Sequence, residues 1–185
     1  MKIAEKNNEI KEIINNASTV FLMAHRDLDL DAINSCIGMD YYLKALKKKS
    51  FIIVDDKRKE PGVKKVLKDL DKKVKIIKST KALEKKDDQS LLIILDTNKV
   101  KLTQNPEIVK GFNTIINIDH HTKTDESIKA TLNVIDENIS STCEMITEFL
   151  KENEININQN IATLLLGGII LDTNYYKYHI TADTF

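Results

Sequence analysis

The sequence predicts an α/β protein whose core is a doubly wound, mainly parallel sheet with helices on both faces. Short apolar segments alternate along the chain with longer segments whose apolar residues recur at helical spacing. The strand-like segments at residues 91–95 and 114–118 are apolar on both faces, which is typical of buried strands in parallel sheets. Clusters of His and Asp follow several such segments, at the ends where sheets of this class carry their ligand sites.

Six segments are expected to form strands, and the last of them to lie at an edge of the sheet. They are residues 20–24, 51–54, 74–77, 91–95, 114–118 and 131–135. Helical periodicity predicts a first helix that includes Ile3 and Ile14 and a second that runs from Ala32 to Leu46. A third helix is expected where Pro61 stands, because proline is favoured at the first helical position.

Two helices nearer the C-terminus have more specific signatures. Ser141 and Glu144 form the Ser-x-x-Glu pattern of a capping box, which predicts that a helix begins there. Residues 161–171 predict a very apolar helix, and the adjacent Gly167 and Gly168 inside it indicate close packing against a neighbour.

Composition narrows the classes of function. Of the 185 residues, 42% are hydrophobic and 30% are charged, which is ordinary for one soluble globular domain. The 28 basic and 28 acidic residues cancel, so we do not expect binding to long nucleic acid, whereas a small anionic ligand held by metal ions is compatible with that balance. Cys36 and Cys143 have neither metal-type nor redox-type spacing and are expected to be buried thiols.

The apolar segments are too short for a membrane span. No apolar run reaches the length of about 18 residues that crosses a bilayer, and the N-terminus lacks the uninterrupted apolar region of a signal peptide. We therefore expect a cytoplasmic chain without direct membrane contact, and a membrane anchor on a longer parent protein stays open. The sequence does not decide whether the chain forms a homodimer.

Four polar clusters rich in His and Asp lie beside apolar segments, at residues 25–31, 96–98, 119–121 and 172–174. Three of the four histidines of the chain lie in these clusters. Carboxylates combined with imidazoles are ligands for small divalent metal ions. Because the clusters come from distant parts of the chain, we expect them to meet in one site.

Each cluster also has a simpler interpretation. Asp29 and Asp31 precede a predicted helix, so they are either metal ligands or helix caps. Asp96 at a strand end is also typical of a turn, and residues 119–121 could form a solvated turn. Asp172 follows an almost entirely apolar helix, where a buried carboxylate is costly without a neighbouring cation.

The metal interpretation unites two histidines and four aspartates, which are His25, one of the adjacent His120 and His121, and Asp29, Asp31, Asp96 and Asp172. Such a set is large enough for two divalent ions about 3.5–4 Å apart, which clamp a phosphoryl group and activate a bridging water. Oxygen-rich ligation with some imidazole favours Mn²⁺, with Mg²⁺ and Co²⁺ as alternatives.

The chain resembles the DHH phosphoesterase superfamily in four motifs, which are HRDLDLDA, LLIILDTN, NIDHH and LLLGGIILDT in this order. The resemblance spans nearly the whole chain, and the superfamily is named for the tripeptide at residues 119–121. The segments ISSTCEMITEFL and TADTF are most similar to GdpP-type cyclic-di-AMP phosphodiesterases, with oligoribonucleases of the same superfamily next.

The resemblance implies a role for each cluster. The implied ligands are His25, Asp29 and Asp96 for one Mn²⁺ and Asp31, Asp96, His120 and Asp172 for the other, with Asp96 bridging. The implied catalytic residues are His121, which would face the scissile phosphate, and Asp119, which would orient the histidines.

The resemblance also implies an activity, the Mn²⁺-dependent hydrolysis of cyclic-di-AMP, a small nucleotide, to a linear dinucleotide. Residues 1–185 would form a single DHH domain, and we expect the second, substrate-binding domain that is usual in the family to be absent from this chain. Two alternatives stay open. One is an oligoribonuclease or small-phosphate hydrolase of the same superfamily, and the other is a metal-binding or nucleotide-sensing module with little catalysis.

Overall fold

The computed structural model describes residues 2–55, 60–70 and 72–185, which form a six-stranded sheet covered by helices. The strands are β1 (Val20–Met23), β2 (Ser50–Ile53), β3 (Ile76–Ile77), β4 (Leu91–Leu95), β5 (Thr114–Asp119) and β6 (Leu132–Ile135). Their order is β3-β2-β1-β4-β5-β6, and all five strand pairs are parallel. The predicted α/β fold is therefore confirmed, with a sheet that is parallel throughout rather than mainly parallel.

Helices connect these strands on both sides of the sheet, as predicted. In the described ranges the α-helices are α1 (Asn7–Asn16), α2 (Leu30–Ala45), α3 (Pro61–Asp69), α4 (Ser79–Lys85), α5 (Pro106–Val109), α6 (Thr142–Glu152) and α7 (Gln159–Asp172). None of the helices in this part of the chain is long and apolar enough to cross a membrane.

The sheet separates two hydrophobic cores of unequal size. The larger core packs one face of the sheet against α1, α2, α6 and α7, and the smaller core packs the other face against α4 and α5. Strand β1 contributes to both, because Val20 and Leu22 face the larger core while Phe21 and Met23 face the smaller one. A strand that is buried on both faces needs apolar residues at consecutive positions. Such runs are typical of parallel sheets, which is why the sequence pattern predicts one.

The strand order determines where the polar clusters of the chain lie. β1 and β4 are neighbours in the sheet, and the chain runs outward from them in opposite directions, to β2 and β3 on one side and to β5 and β6 on the other. A crevice at the carboxyl ends of the strands opens at such a reversal of order. The polar segments that follow β1, β4 and β5 therefore lie at this edge of the sheet.

Several predicted boundaries differ from the structure. The N-terminal segment is a 3₁₀ turn, Ile3–Lys6, followed by α1, rather than one helix. β3 contains only Ile76 and Ile77, because it lies at the edge and pairs only with β2. β5 extends one residue further than predicted, so Asp119 belongs to the strand and points its side chain from a rigid backbone. β6 lies at the other edge, as predicted.

The capping box at the start of α6 is half formed. Ser141 Oγ accepts a hydrogen bond from Glu144 N at 3.1 Å, as predicted. The Glu144 carboxylate accepts hydrogen bonds from both the N–H and the hydroxyl of Ser140. The reciprocal contact is therefore made one residue before the position that the motif requires.

Helix α7 packs closely against α2 and α6 at Gly168. A Cβ at this position would overlap Cys143 Sγ and lie 2.9 Å from Asp31 Oδ1. Gly167, by contrast, has room, because the nearest atom to its hypothetical Cβ is Asn34 Nδ2 at 3.5 Å. The predicted close packing is thus located at Gly168. The two cysteines, Cys36 and Cys143, are buried free thiols, as predicted.

This difference predicts opposite effects of two matched substitutions. We expect Gly168→Ala to lower the free energy of unfolding by about 1–3 kcal/mol, because it overpacks a filled interface. Gly167→Ala should raise it by about 0.5–1 kcal/mol, because alanine restricts the unfolded chain and favours the helix. Urea denaturation of both variants measures the two values. Equal effects of the two substitutions would contradict the assignment of the close contact to Gly168.

Candidate metal centre

The four His and Asp clusters meet at the carboxyl edge of the sheet. His25 follows β1, Asp96 follows β4, and His120 follows β5. Asp31 lies in the first turn of α2, and Asp172 is the last residue of α7. The structure thus brings together side chains that are up to 147 residues apart in the sequence, from His25 to Asp172.

Asp96 occupies the middle of the cluster. Its Oδ2 lies 3.3 Å from His25 Nε2, and its Oδ1 lies 3.5 Å from His120 Nε2. Each oxygen of this carboxylate therefore faces a different imidazole. Asp96 is only 2% exposed, and its backbone has a left-handed φ of 60°, a conformation that Asp tolerates better than most residues.

His25 and Asp29 form one side of the cluster. His25 Nδ1 lies 2.5 Å from the carbonyl oxygen of Arg26, which leaves Nε2 to face the carboxylates of Asp29 (3.6 Å) and Asp96. Asp29 Oδ1 accepts a hydrogen bond from Ala32 N and so caps α2. The two sequence interpretations of Asp29 are therefore compatible, since one oxygen caps the helix and the other faces His25.

His120 forms the other side. Its Nε2 lies 3.1 Å from Asp172 Oδ2 and 3.9 Å from Asp31 Oδ2, besides its contact with Asp96. This nitrogen is buried, yet it forms no hydrogen bond within the described part of the chain. A buried ring nitrogen that faces three carboxylates without a hydrogen bond fits the arrangement of a metal ligand.

Asp31 is completely buried and connects two helices. Its Oδ2 accepts a hydrogen bond from Thr142 N at 2.8 Å, and its Oδ1 accepts one from Cys143 N at 2.7 Å. The carboxylate thus binds the N-terminus of α6, whereas the sequence offered it as a cap of α2. The two N–H donors and the helix dipole stabilise a negative charge that would otherwise be isolated from water.

His121 lies at the rim of the cluster and is oriented by Asp119. The two side chains meet at 2.8 Å between His121 Nδ1 and Asp119 Oδ1. Asp119 is completely buried, while the His121 side chain is 57% exposed. His121 also lies close enough to Asp96 and His120 to share an ion with them, since ligand atoms of all three lie within 4.8 Å of one another.

The pKa values reflect the crowding of these charges. Burial alone lowers the pKa of His25 and of His120, but the neighbouring carboxylates outweigh it and raise each to about 11. Burial and repulsion from other carboxylates raise the pKa of Asp31 and of Asp172. Contacts with both histidines overcome the effect of burial at Asp96 and lower its pKa below the usual range. Protonated imidazoles therefore balance the carboxylates when no cation is present.

Two further groups of ligand atoms fit a cation. His25, Asp29 and Asp96 place one ligand atom each within 4.8 Å of one another, and so do Asp31, His120 and Asp172. The donors are carboxylate oxygens and imidazole nitrogens, which suit Mn²⁺ and related divalent ions. The first group has the same members as the first set that the resemblance implies. The second group contains three of the four residues of the second set, and the fourth, Asp96, lies 3.5 Å from His120.

Three polar residues without an assigned role in the sequence also hold the site together. Thr142 donates its hydroxyl to Asp96 Oδ1 at 3.0 Å. Asn98 Nδ2 donates to the carbonyl oxygens of His121 and Thr122, and Asn117 Nδ2 donates to that of Thr97. Asn98 belongs to the polar cluster at residues 96–98 that the sequence shows, but which backbone groups it binds depends on the fold.

A cavity of about 640 Å³ opens over the cluster. Its walls contain site residues such as His25, Asp96 and His121, together with polar groups that the metal sets do not include. These additional groups are Arg26, Asp27, Thr97, Asn98, Lys99, Thr122 and Thr124. The cavity therefore combines a carboxylate floor with a rim that carries positive charge and hydroxyl groups.

Solved structures share this fold. The crystal structure of an exopolyphosphatase-related protein from Bacteroides fragilis superposes with a TM-score of 0.78 and 21% identity, over 95% of this chain and 52% of that one. RecJ from Thermus thermophilus, solved in complex with Mn²⁺, gives a TM-score of 0.54 and 15% identity over 92% of this chain and 24% of that one. Both structures therefore contain the fold of this chain.

The sequence matches the N-terminal domain of the DHH family over residues 19–169, so the chain belongs to this family. It is 33% identical over 183 residues to the cyclic-di-AMP phosphodiesterase GdpP of Bacillus subtilis and 28% identical over 183 residues to the cyclic-di-AMP phosphodiesterase PdeA of Listeria monocytogenes. Each alignment covers 95% of this chain, which spans only 28% of the length of either relative.

The Asp119–His121 contact predicts a change that NMR can detect. The hydrogen bond with Asp119 is the largest cause that raises the pKa of His121. Asp119→Asn replaces the carboxylate by a neutral amide, so the pKa of His121 should fall. Imidazole NMR signals followed through a pH titration of the metal-free protein measure it. Asp125→Asn, at an exposed position on the same loop, should leave the pKa of His121 unchanged, and an unchanged value in Asp119→Asn would contradict the orienting role.

Proposed function

We propose that this chain is the metal-binding catalytic domain of a Mn²⁺-dependent phosphodiesterase that hydrolyses cyclic-di-AMP to a linear dinucleotide. The observation that carries the proposal is the position of Asp96, whose two oxygens face two different histidines. This carboxylate divides the cluster into two groups that share it, as a pair of neighbouring ions requires.

In the proposed site, His25, Asp29 and Asp96 hold one Mn²⁺, and Asp31, Asp96, His120 and Asp172 hold the second. When bound, the ions would stabilise the negative charge of the reacting phosphate and would supply an activated water for its hydrolysis. Mg²⁺ and Co²⁺ are alternative occupants of the same ligand set. A protonated imidazole cannot bind a metal ion, so the imidazoles must lose their protons when an ion binds. Binding of metal therefore releases protons.

The residues around the ions position the phosphate and control its charge. His121 Nδ1 is bound to Asp119, so Nε2 of this half-exposed side chain is the nitrogen left to donate a hydrogen bond to a phosphate oxygen. The raised pKa of His121 favours the protonated, donating form. The hydroxyl of Thr142 donates a hydrogen bond to Asp96, which keeps the shared carboxylate in one orientation.

The substrate is proposed from the named relatives, because two of them are cyclic-di-AMP phosphodiesterases that align with 95% of this chain. The open cavity supports a ligand of nucleotide size, and the absence of net charge disfavours long nucleic acid. We further propose that residues 1–185 form one domain that acts in the cytoplasm.

The first test is turnover by the Mn²⁺-loaded chain. We expect conversion of cyclic-di-AMP to the linear dinucleotide pApA, and we expect Asp96→Asn to reduce the rate by at least about 100-fold, because a shared ligand is lost. Asp88→Asn makes the same change at an exposed position before β4, at the opposite edge of the sheet, and should retain full activity. Chromatography of the products measures both.

Two results would overturn the proposed function. Faster turnover of pApA or of pyrophosphate than of cyclic-di-AMP would favour an oligoribonuclease or a small-phosphate hydrolase. A chain that binds two ions and cleaves neither these compounds nor bis-p-nitrophenyl phosphate would instead be a binding module.

The second test is metal-linked stability. An ion that binds only the folded chain stabilises it, by about 2.7 kcal/mol at a concentration 100 times the Kd. For a chain of this size we expect Mn²⁺ to raise Tm by roughly 5–11 °C, measured by calorimetry after removal of metal with a chelator. The increase should be largely lost in Asp172→Asn and kept in Asp88→Asn. An unchanged Tm in the unmodified chain would rule out the proposed site.

A further inference from the structure

Two positively charged side chains in the wall of the cavity have no partner in the proposed chemistry. Arg26 and Lys99 line the same cavity as His25, Asp96 and His121. Neither forms an ion pair within the part of the chain that the structure describes. Lys101, two residues further along, differs in this respect, because it is paired with Glu126 at 2.5 Å.

The backbone around both cations is fixed by neighbouring loops. Arg26 N donates to the carbonyl oxygen of Leu102 at 2.6 Å, and His25 pairs with Thr103 in an antiparallel bridge. Lys99 pairs in the same manner with Ser127. The loop after β4 is therefore joined to the loops on both sides, and the backbone that carries the two cations is held at the rim of the cavity.

The balance of charge around the cavity also distinguishes these residues. The acids of the floor, such as Asp29, Asp96 and Asp172, are matched by imidazoles or by the proposed ions. Asp27, which also lines the cavity, already has an interaction of its own. Lys99 lies near enough to Glu126 to contribute, after Lys101, to lowering the pKa of that carboxyl, but Glu126 forms its ion pair with Lys101. The positive charges of Arg26 and Lys99 therefore remain available to an anion in the cavity.

We propose that Arg26 and Lys99 form a second anion subsite, which binds the phosphate of a cyclic dinucleotide that is not being cleaved. The inference rests on the proposed function and adds the means by which this domain recognises a substrate with two phosphates. A cyclic dinucleotide carries two phosphodiesters, and only one can lie over the carboxylate–imidazole cluster at a time. The second needs compensation elsewhere in the same cavity.

The subsite predicts a selective loss of binding. Arg26→Gln and Lys99→Gln should each raise KM for cyclic-di-AMP roughly 5-fold and together roughly 20-fold, because charge-assisted hydrogen bonds at an exposed rim are of moderate strength. Their kcat should change less than about 2-fold, since neither residue lies in the metal sets. Bis-p-nitrophenyl phosphate has one phosphodiester, so its KM should stay unchanged in all variants. Lys101→Gln is the matched control and should behave as the unmodified chain.

A second measurement does not depend on turnover. Equilibrium dialysis of the Mn²⁺-loaded chain should show tighter binding of pApA than of AMP, and the double variant should lose this difference. If the chain does not cleave cyclic-di-AMP, the proposed function fails, while the dialysis result still decides the subsite. Equal binding of pApA and AMP by the unmodified chain would overturn the subsite. Variants whose KM rises equally for cyclic-di-AMP and for bis-p-nitrophenyl phosphate would overturn it as well.

Discussion

Repulsion among four neighbouring carboxylates is the constraint on which this end of the molecule depends. Asp29, Asp31, Asp96 and Asp172 converge in a region that is largely shielded from water, where unpaired negative charge is costly. The fold reduces that cost in two ways that the structure makes visible. Imidazoles separate the carboxylates from one another, and the backbone N–H groups at the start of α6 bind Asp31. Divalent ions would complete the compensation, and for this reason we expect the arrangement to be more stable with metal than without.

Much of the fold could be predicted because its signals are local. Strands buried on both faces, such as β4, require consecutive apolar residues, and this pattern survives in a single sequence. The positions of the clusters could also be predicted, since parallel strands bring their carboxyl ends to one edge. Strand ends were less accurate, as at β3, where pairing with one neighbour decides how many residues are extended.

The parts of the site that escaped prediction depend on contacts between distant segments. Asp31 binds the N-terminus of α6, which lies 111 residues later in the sequence at Thr142. The sequence offered Asp31 as a metal ligand or as a cap of its own helix, and local spacing carries no information about which helix lies opposite. Asn98 and Asn117 fasten the loops through backbone carbonyls, whose positions are known only once the sheet is assembled. The left-handed backbone at Asp96 is likewise a property of the folded loop.

The close contact at Gly168 links packing with chemistry. This glycine lies one helical turn before Asp172, and the side chain that replaces its hydrogen would press on Asp31 and on Cys143. The spacing of α2 and α7 therefore also sets the distance between two members of the charged cluster, Asp31 and Asp172. A substitution at this contact cannot change the packing of the hydrophobic core without displacing Asp31, a member of the charged cluster. In a library of variants at positions around Gly168, selection for thermal stability would therefore also enrich variants that keep the geometry of the site.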